Sequence, residues 1–324
     1  MGGMRGDGRS SGVSGRKRWW RALVPGASVL ALGVVLTSCG GSPSLAGTPS
    51  TVTYCTNGGV GLAVRIYHPT DVPKNPVPVV VYFHGGGWQQ GVPFIEAGTQ
   101  FGDVETSIVN HGWYFATVQY RLAPEWPWPA QIVDAKCAIR YLRASAGFLH
   151  IDPSRIGVIG DSAGGQLAAM IGLAPPLAGF DVGQYADQSS KVEAVVDEYG
   201  PTDLAAPDWL SSPIASQTDQ AVFGVSPGDD TAPLVAASPV TYVAPGAPPF
   251  LVIQGTADQI VPPSQSVELV RRLVAAQDQA RLVLVQGAGH GLVPSGSEAM
   301  SLDQAAAGSE VASFFFTQLG QPGQ

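Results

Sequence analysis

Basic side chains, cysteines and long apolar runs are all scarce in this chain of 324 residues. Lysine and arginine number 17 against 25 acidic residues, a formal net charge of −8. Six of those 17 fall in the first 38 residues with a single acidic one, so the remainder carries 11 basic and 24 acidic side chains, a balance of −13. A surface of that sign repels phosphate backbones and anionic bilayers, and no basic patch interrupts it, which excludes nucleic acid as a partner. Three cysteines and five histidines occur, without the close spacing of a metal-ligand cluster, so no metal is implied. The glycine-rich stretches do not match a dinucleotide fingerprint, and no cofactor is implied. The apolar stretch 22–36 is too short to be a comfortable membrane span.

That stretch follows Arg16, Lys17, Arg18 and Arg21, the order of charge and apolarity found in export signals. It ends Leu36-Thr37-Ser38-Cys39-Gly40, which resembles a bacterial lipobox, in which the cysteine is lipidated and becomes the first residue of the mature protein. The expectation is a signal peptide over 1–38, lipidation at Cys39, a flexible linker over 39–52 and one α/β domain over 53–320. An ordinary secretory signal that happens to contain a cysteine is the plainer alternative. With the anchor, the body sits on the outer side of the cell membrane, held by more than one acyl chain as stable anchoring requires. The linker composition of Gly, Ser, Pro, Ala and Thr is that of a coil. Cys55 and Cys137 remain, and outside the cytoplasm such a pair can form a disulfide. Cys137 also sits in an apolar helical stretch where a free thiol packs well, and both readings stand.

The centre of the chain is Arg155-Ile-Gly-Val-Ile-Gly-Asp-Ser-Ala-Gly-Gly165. Ile156, Val158 and Ile159 read as a buried strand, and the residues from Gln166 read as a helix. Between them Gly160-Asp161-Ser162-Ala163-Gly164 forms a G-x-S-x-G turn, in which flanking glycines remove the Cβ atoms that would collide at a sharp bend. The hydroxyl of Ser162 then stands clear, beside a helix N-terminus that favours developing negative charge. A second match, Gly224-Val225-Ser226-Pro227-Gly228, lacks a preceding strand and a following helix, and Pro227 lacks the N–H needed to hold an oxyanion. Ser162 is the candidate nucleophile and Ser226 is not.

Upstream, residues 61–67 alternate as an antiparallel strand and 79–83 are apolar throughout, as a strand covered on both faces demands. The latter runs into His84-Gly85-Gly86-Gly87-Trp88, where consecutive glycines bare backbone amides as an oxyanion site requires. His84 reads as a brace for this loop, and Trp88, Asp161 and Trp126 as possible pocket residues, with packing as the alternative for the tryptophans. Helical stretches follow at 97–110 and 302–319 and strands at 113–119, 192–197, 250–253 and 281–285. Asp134 and Arg121 read as a structural pair. Residues 204–239, rich in Ser, Asp, Pro and Gly, are too long for a plain loop and read as a small helical insert over the site.

Three carboxylates, Glu198, Asp203 and Asp258, follow core strands and could serve a serine. Among the five histidines His290, between Gly289 and Gly291, alone lies after all of them, and a glycine-flanked ring has room to turn. In this order HGGGW (84–88), YRLAPEWPWPAQ (120–131), IDPSRIGVIGDSAGGQLAA (151–169), GTADQIVPPSQS (255–266) and GAGHG (287–291) resemble the α/β-hydrolase fold. More narrowly they resemble its esterase/lipase branch, hormone-sensitive-lipase-like and feruloyl-esterase-like carboxylesterases, over residues 53–319. The resemblance implies a mostly parallel central sheet with helices on both faces, and a triad in the order Ser162, Asp258, His290. It implies an oxyanion hole from Ala163 and Gly86 with Gly85 or Gly87, and a small-molecule ester as substrate. The two N-terminal cap helices common in hormone-sensitive-lipase-like members are not evident, which implies a more open site. An amide hydrolase on the same scaffold and a binding protein without turnover are the other readings.

Overall fold

The structure, a computed structural model, describes Gly2 and residues 47–71, 73–93, 95 and 99–320. The expected signal peptide, Cys39 and the linker as far as residue 46 lie outside the described residues.

Eight strands form one sheet in the order β1-β2-β4-β3-β5-β6-β7-β8. They are β1 Ser50–Asn57, β2 Val60–Tyr67, β3 Val77–Phe83, β4 Tyr114–Val118, β5 Ile151–Asp161, β6 Ala194–Glu198, β7 Phe250–Gly255 and β8 Ala280–Val285. The pairs β1–β2 and β2–β4 are antiparallel and every later pair is parallel. Burial follows that placement. In β2 Leu62, Val64 and Ile66 are buried while alternate residues are not. The central β3 and β6 are buried along nearly their whole length, and the edge strand β8 is only partly covered. A strand flanked on both sides and roofed on both faces has nowhere to place a polar residue cheaply.

The helices in chain order are α1 Gln100–Asn110, α2 Ala130–Ala144, α3 Ala146–Leu149, α4 Ala163–Leu173, α5 Pro207–Leu210, α6 Ala215–Thr218, α7 Ala232–Ala236, α8 Pro263–Ala275 and α9 Gln304–Leu319. One apolar cluster packs α2, α4 and α8 on one face of the sheet, and a second packs α1 and α9 on the other. In α2, Ile132, Ala135, Ile139 and Leu142 form the fully buried stripe that their spacing demands. Asp303 caps α9 by accepting from the amide of Ala306 at 2.8 Å. Residues 204–239 hold α5, α6, α7 and a π-helical turn over Asp219–Phe223.

Two features depart from the sequence reading. Residues 50–52, expected as the end of the linker, begin β1, because they pair with Val64, Arg65 and Ile66 of β2. Cys55 of β1 and Cys137 of α2, whose pairing the sequence left open, form a disulfide with their Cα atoms 6.5 Å apart. Burial alone does not separate a packed thiol from a bonded one; what joins them is the way β1 lies across α2. The bond closes a sequence separation of 82 residues, which in the chain-entropy picture stabilises the fold by about 4–5 kcal/mol.

Candidate active site

The turn from β5 into α4 explains its own glycines. A Cβ on Gly160 would lie 2.1 Å from the carbonyl oxygen of Gly164, and one on Gly164 would lie 2.0 Å from the carbonyl oxygen of Phe83. No side chain fits at either place, so β5, β3 and α4 approach each other only with bare Cα atoms there. Ser162 at the apex has φ 52° and ψ −119°, a region that an L-residue enters only under constraint. The constraint includes its own amide, which donates to the carbonyl of Glu198 at 2.8 Å.

His290 arrives from the loop after β8 and Asp258 from the loop after β7. The Nε2 of His290 lies 2.9 Å from Ser162 Oγ, and its Nδ1 lies 2.8 Å from Asp258 Oδ2. An ionised carboxylate only accepts, so Nδ1 carries the proton and the lone pair of Nε2 faces the serine hydroxyl. Asp258 is itself fixed: Oδ1 accepts from the amides of Ile260 and Val261 at 2.9 and 3.0 Å, and Oδ2 accepts from Gln254 Nε2 at 3.0 Å. Its side chain is fully buried, whereas His290 is about a quarter exposed, so the relay runs from the interior to the open rim of the sheet.

The glycine loop is divided. The amide of Gly85 donates to Asp161 Oδ1 at 2.9 Å, so it has no proton left for an oxyanion. This removes Gly85 from the expected donors. The amides of Gly86, Gly87 and Ala163 donate to nothing else among the described residues. Asp161 braces this loop through its carboxyl. Its buried carboxyl, raised above the ordinary range by burial, also accepts from the Tyr82 hydroxyl at 2.7 Å and ties the glycine loop to the elbow. His84 braces the same loop, stacked on Tyr120 at 4.3 Å with Nδ1 2.7 Å from the Gly85 carbonyl, and burial pushes its imidazole toward the neutral form.

Trp88 is buried behind the site, and Trp126 is engaged at the β1–β2 turn. Trp88 is 1% exposed, donates from Nε1 to Gln166 Oε1 at 3.1 Å and meets Phe223 edge to face. It therefore fastens the glycine loop to α4 and to the insert. Trp126 covers the guanidinium of Arg121 at 4.9 Å, beside Gly58 at the β1–β2 turn, and Arg121 forms a two-pronged pair with Asp134 at 2.8 Å.

The rival acids are engaged elsewhere. Glu198 is buried against Gln100, whose Nε2 donates to both carboxyl oxygens at 2.7 and 2.8 Å, and burial pushes it up to about 8. Asp203 lies 3.9 Å from Arg272. Ser226 has its amide on Asp229 and no histidine partner. Two contributors escaped the sequence reading: Gln254, a strand residue that steadies Asp258, and Tyr199, whose ring centroid lies 5.0 Å from that of His290. Only the position of each directly at a strand end marks it in the sequence.

Known proteins share this arrangement of chain. The BD-FAE family model matches residues 64–273. Esterase LipC of Mycobacterium tuberculosis is 32% identical over 238 residues, 70% of this chain and 56% of that protein. Carboxylesterase NlhH of the same species is 42% identical over 129 residues, 40% of this chain and 38% of that protein. The chain thus spans about half the length of the curated relatives it matches. Among solved structures, a truncated carbohydrate esterase from gut microbiota superposes with a TM-score of 0.70 at 27% identity, covering 86% of this chain and 99% of that one. The butyrate-bound esterase Est2 of Thermogutta terrifontis superposes with a TM-score of 0.67 at 28% identity, covering 84% and 94%. With the sheet order, the elbow and the family match in agreement, the chain belongs to the BD-FAE family and has the α/β-hydrolase fold.

Proposed function

We propose that the protein is a serine carboxylesterase that hydrolyses small to medium carboxylic esters through an acyl-enzyme. The observation that carries this reading is the unbroken relay Ser162–His290–Asp258, at 2.9 and 2.8 Å, beside the unengaged amides of Gly86, Gly87 and Ala163. His290 takes the proton of Ser162 as the serine oxygen attacks the ester carbonyl, while Asp258 holds the tautomer and steadies the imidazolium. The amides hold the oxyanion, each donor being worth about 2.7–4 kcal/mol. The same imidazolium protonates the leaving alcohol, and water activated by His290 then releases the acid. The named activities of LipC and NlhH and the butyrate bound to Est2 support esters with short acyl groups as the substrate class.

A series of p-nitrophenyl esters of rising chain length, set against arylformamides and aminoacyl anilides, tests the assignment. Faster turnover of the amides than of every ester overturns it. We infer the cellular place from other observations. The export-type leader, Cys39 and the disulfide, a bond that persists in oxidising compartments, support a lipid-anchored protein outside the cytoplasm. Cys39→Ala is expected to move the protein from the membrane fraction to the soluble one and to abolish fatty-acid labelling; labelling that survives the change rules out the anchor.

A further inference from the structure

The segment Glu198–Tyr199–Gly200 touches Ser162, His290 and the strand that leads to Asp258. The carbonyl of Glu198 accepts from the Ser162 amide at 2.8 Å. The amide of Tyr199 donates to Ile253 at 2.8 Å, on the strand that delivers Asp258. The amide of Gly200 donates to Asp197 Oδ1 at 2.9 Å, and a Cβ on Gly200 would lie 2.6 Å from the amide of Gln166 in the helix after the serine. Three bonds and one close contact thus fix the backbone on either side of Tyr199.

Tyr199 itself has φ 45°, in the left-handed region that favours glycine, although it carries a bulky side chain. A bulky residue kept where glycine is cheaper points to a requirement for its side chain. That side chain is 3% exposed, and its ring meets the His290 ring at 5.0 Å with an interplanar angle of 67°, the edge-to-face arrangement that aromatic pairs prefer. Burial and the nearby carboxylates of Asp161, Glu198 and Asp258 keep its phenol protonated, so it presents a neutral ring. Ser162 and Asp258 lie at the two ring nitrogens, Asp161 is near enough to interact electrostatically with the ring, and Gln304 of α9 donates to the carbonyl of Gly291 at 2.9 Å. The bond to Cβ and the two hydrogen bonds locate the ring, which is about a quarter exposed; the Tyr199 ring packs against it and narrows the tilt left to it.

We propose that Tyr199 is a positioning residue whose ring holds the His290 imidazole in the orientation that keeps Nε2 on Ser162 Oγ. This rests on the proposed triad. Its role belongs to the ring rather than to the hydroxyl, and it acts only through His290.

The test is the steady-state hydrolysis of p-nitrophenyl butyrate by the full chain and by Tyr199→Phe, Tyr199→Leu, His290→Ala and the double variant Tyr199→Leu/His290→Ala, with melting temperatures measured alongside. Because small misplacements of a catalytic group cost up to about 100-fold, Tyr199→Leu is expected to lower kcat about 10- to 100-fold with KM within about twofold. Tyr199→Phe is expected to stay within about threefold of the parent. Since residues acting as a unit are non-additive, the double variant is expected to be no slower than His290→Ala alone. If Tyr199→Leu does not fold, Tyr199→Met, unbranched at Cβ and without a ring, takes its place. Parent-like kcat in the ringless variant overturns the proposal, as does a Phe variant as slow as the Leu one. A further loss in the His290→Ala background overturns it too. Full activity in His290→Ala alone instead sinks the triad, and that outcome is distinguishable from the others.

Discussion

Two of the chain's matches to the pattern G-x-S-x-G, at Gly160–Gly164 and at Gly224–Gly228, use glycine for opposite reasons. In the first, φ at the glycines is ordinary and space is absent: a Cβ would enter a neighbouring backbone at 2.0–2.1 Å. In the second, space is open, nothing lies within 4 Å, and the glycines serve only to reach φ values of 70° and 92°. The first turn is thus a site of close approach between elements, and the second a bend on the surface. A hydroxyl becomes a nucleophile through what converges on it, and five residues of pattern carry none of that.

The largest effect that sharpens this contrast is on the serines themselves. Ser162→Ala is expected to lower kcat at least about 10³-fold, as loss of a triad member does elsewhere, with the melting temperature retained. Ser226→Ala is expected to leave both unchanged. Equal losses from the two changes would break the comparison. The glycines come next. Gly164→Ala must displace the Phe83 carbonyl and is expected to abolish activity or folding. Gly224→Ala has room and is expected to cost only about 1–2 kcal/mol of stability, for its left-handed backbone, with turnover retained. Urea unfolding of the pair measures both.

A smaller effect separates the β1–α2 staple from the turn that carries Ser162. Replacing Cys55 and Cys137 by serine, or reducing the bond, is expected to lower the melting temperature by several degrees without changing kcat on the remaining folded protein. The smallest effect is on the dependence of stability on pH. Burial raises Asp197 to about 7 and Glu198 to about 8, above their ordinary 3.8 and 4.5. The folded chain therefore holds protons that the unfolded chain releases. From these two groups stability falls as pH rises from about 4 to 8, and changes no further outside that window. Glu193 and Asp219, raised to about 7 and about 6, add in the same direction. Glu198→Gln is expected to flatten the melting temperature between pH 6 and 8, as followed by calorimetry at about one-unit steps. An unchanged slope would remove Glu198 as a source of it.

What was legible in the sequence is what one short stretch enforces by itself. The elbow announces itself because strand, glycines and helix are contiguous, and chain order selects His290 from five histidines. The parallel core strands are legible for the same reason, being apolar without interruption. The partners of side chains from different stretches were not. Gly85 and Asp161 are 76 positions apart, and nothing along the chain tells that the carboxyl of one takes up the amide proton of the other. Trp88 and Trp126 both follow a core strand in the sequence, yet one is buried behind the glycine loop and the other lies on an arginine beside the β1–β2 turn. Residues 50–52 read as linker because Ser, Thr and Val in a short run say little until β2 lies beside them. Composition reports what a segment tolerates, and the neighbour decides what it becomes.

The bond between Cys55 and Cys137 has a mechanical consequence. β1 is paired on one side only, and a pull on the chain upstream of Ser50 peels it from β2 one residue at a time. The unzipping stops at Cys55, five residues in, where the tension passes through sulfur into α2 and the body of the molecule. The hairpin frays under traction, and the catalytic rim, several strands further in, stays slack.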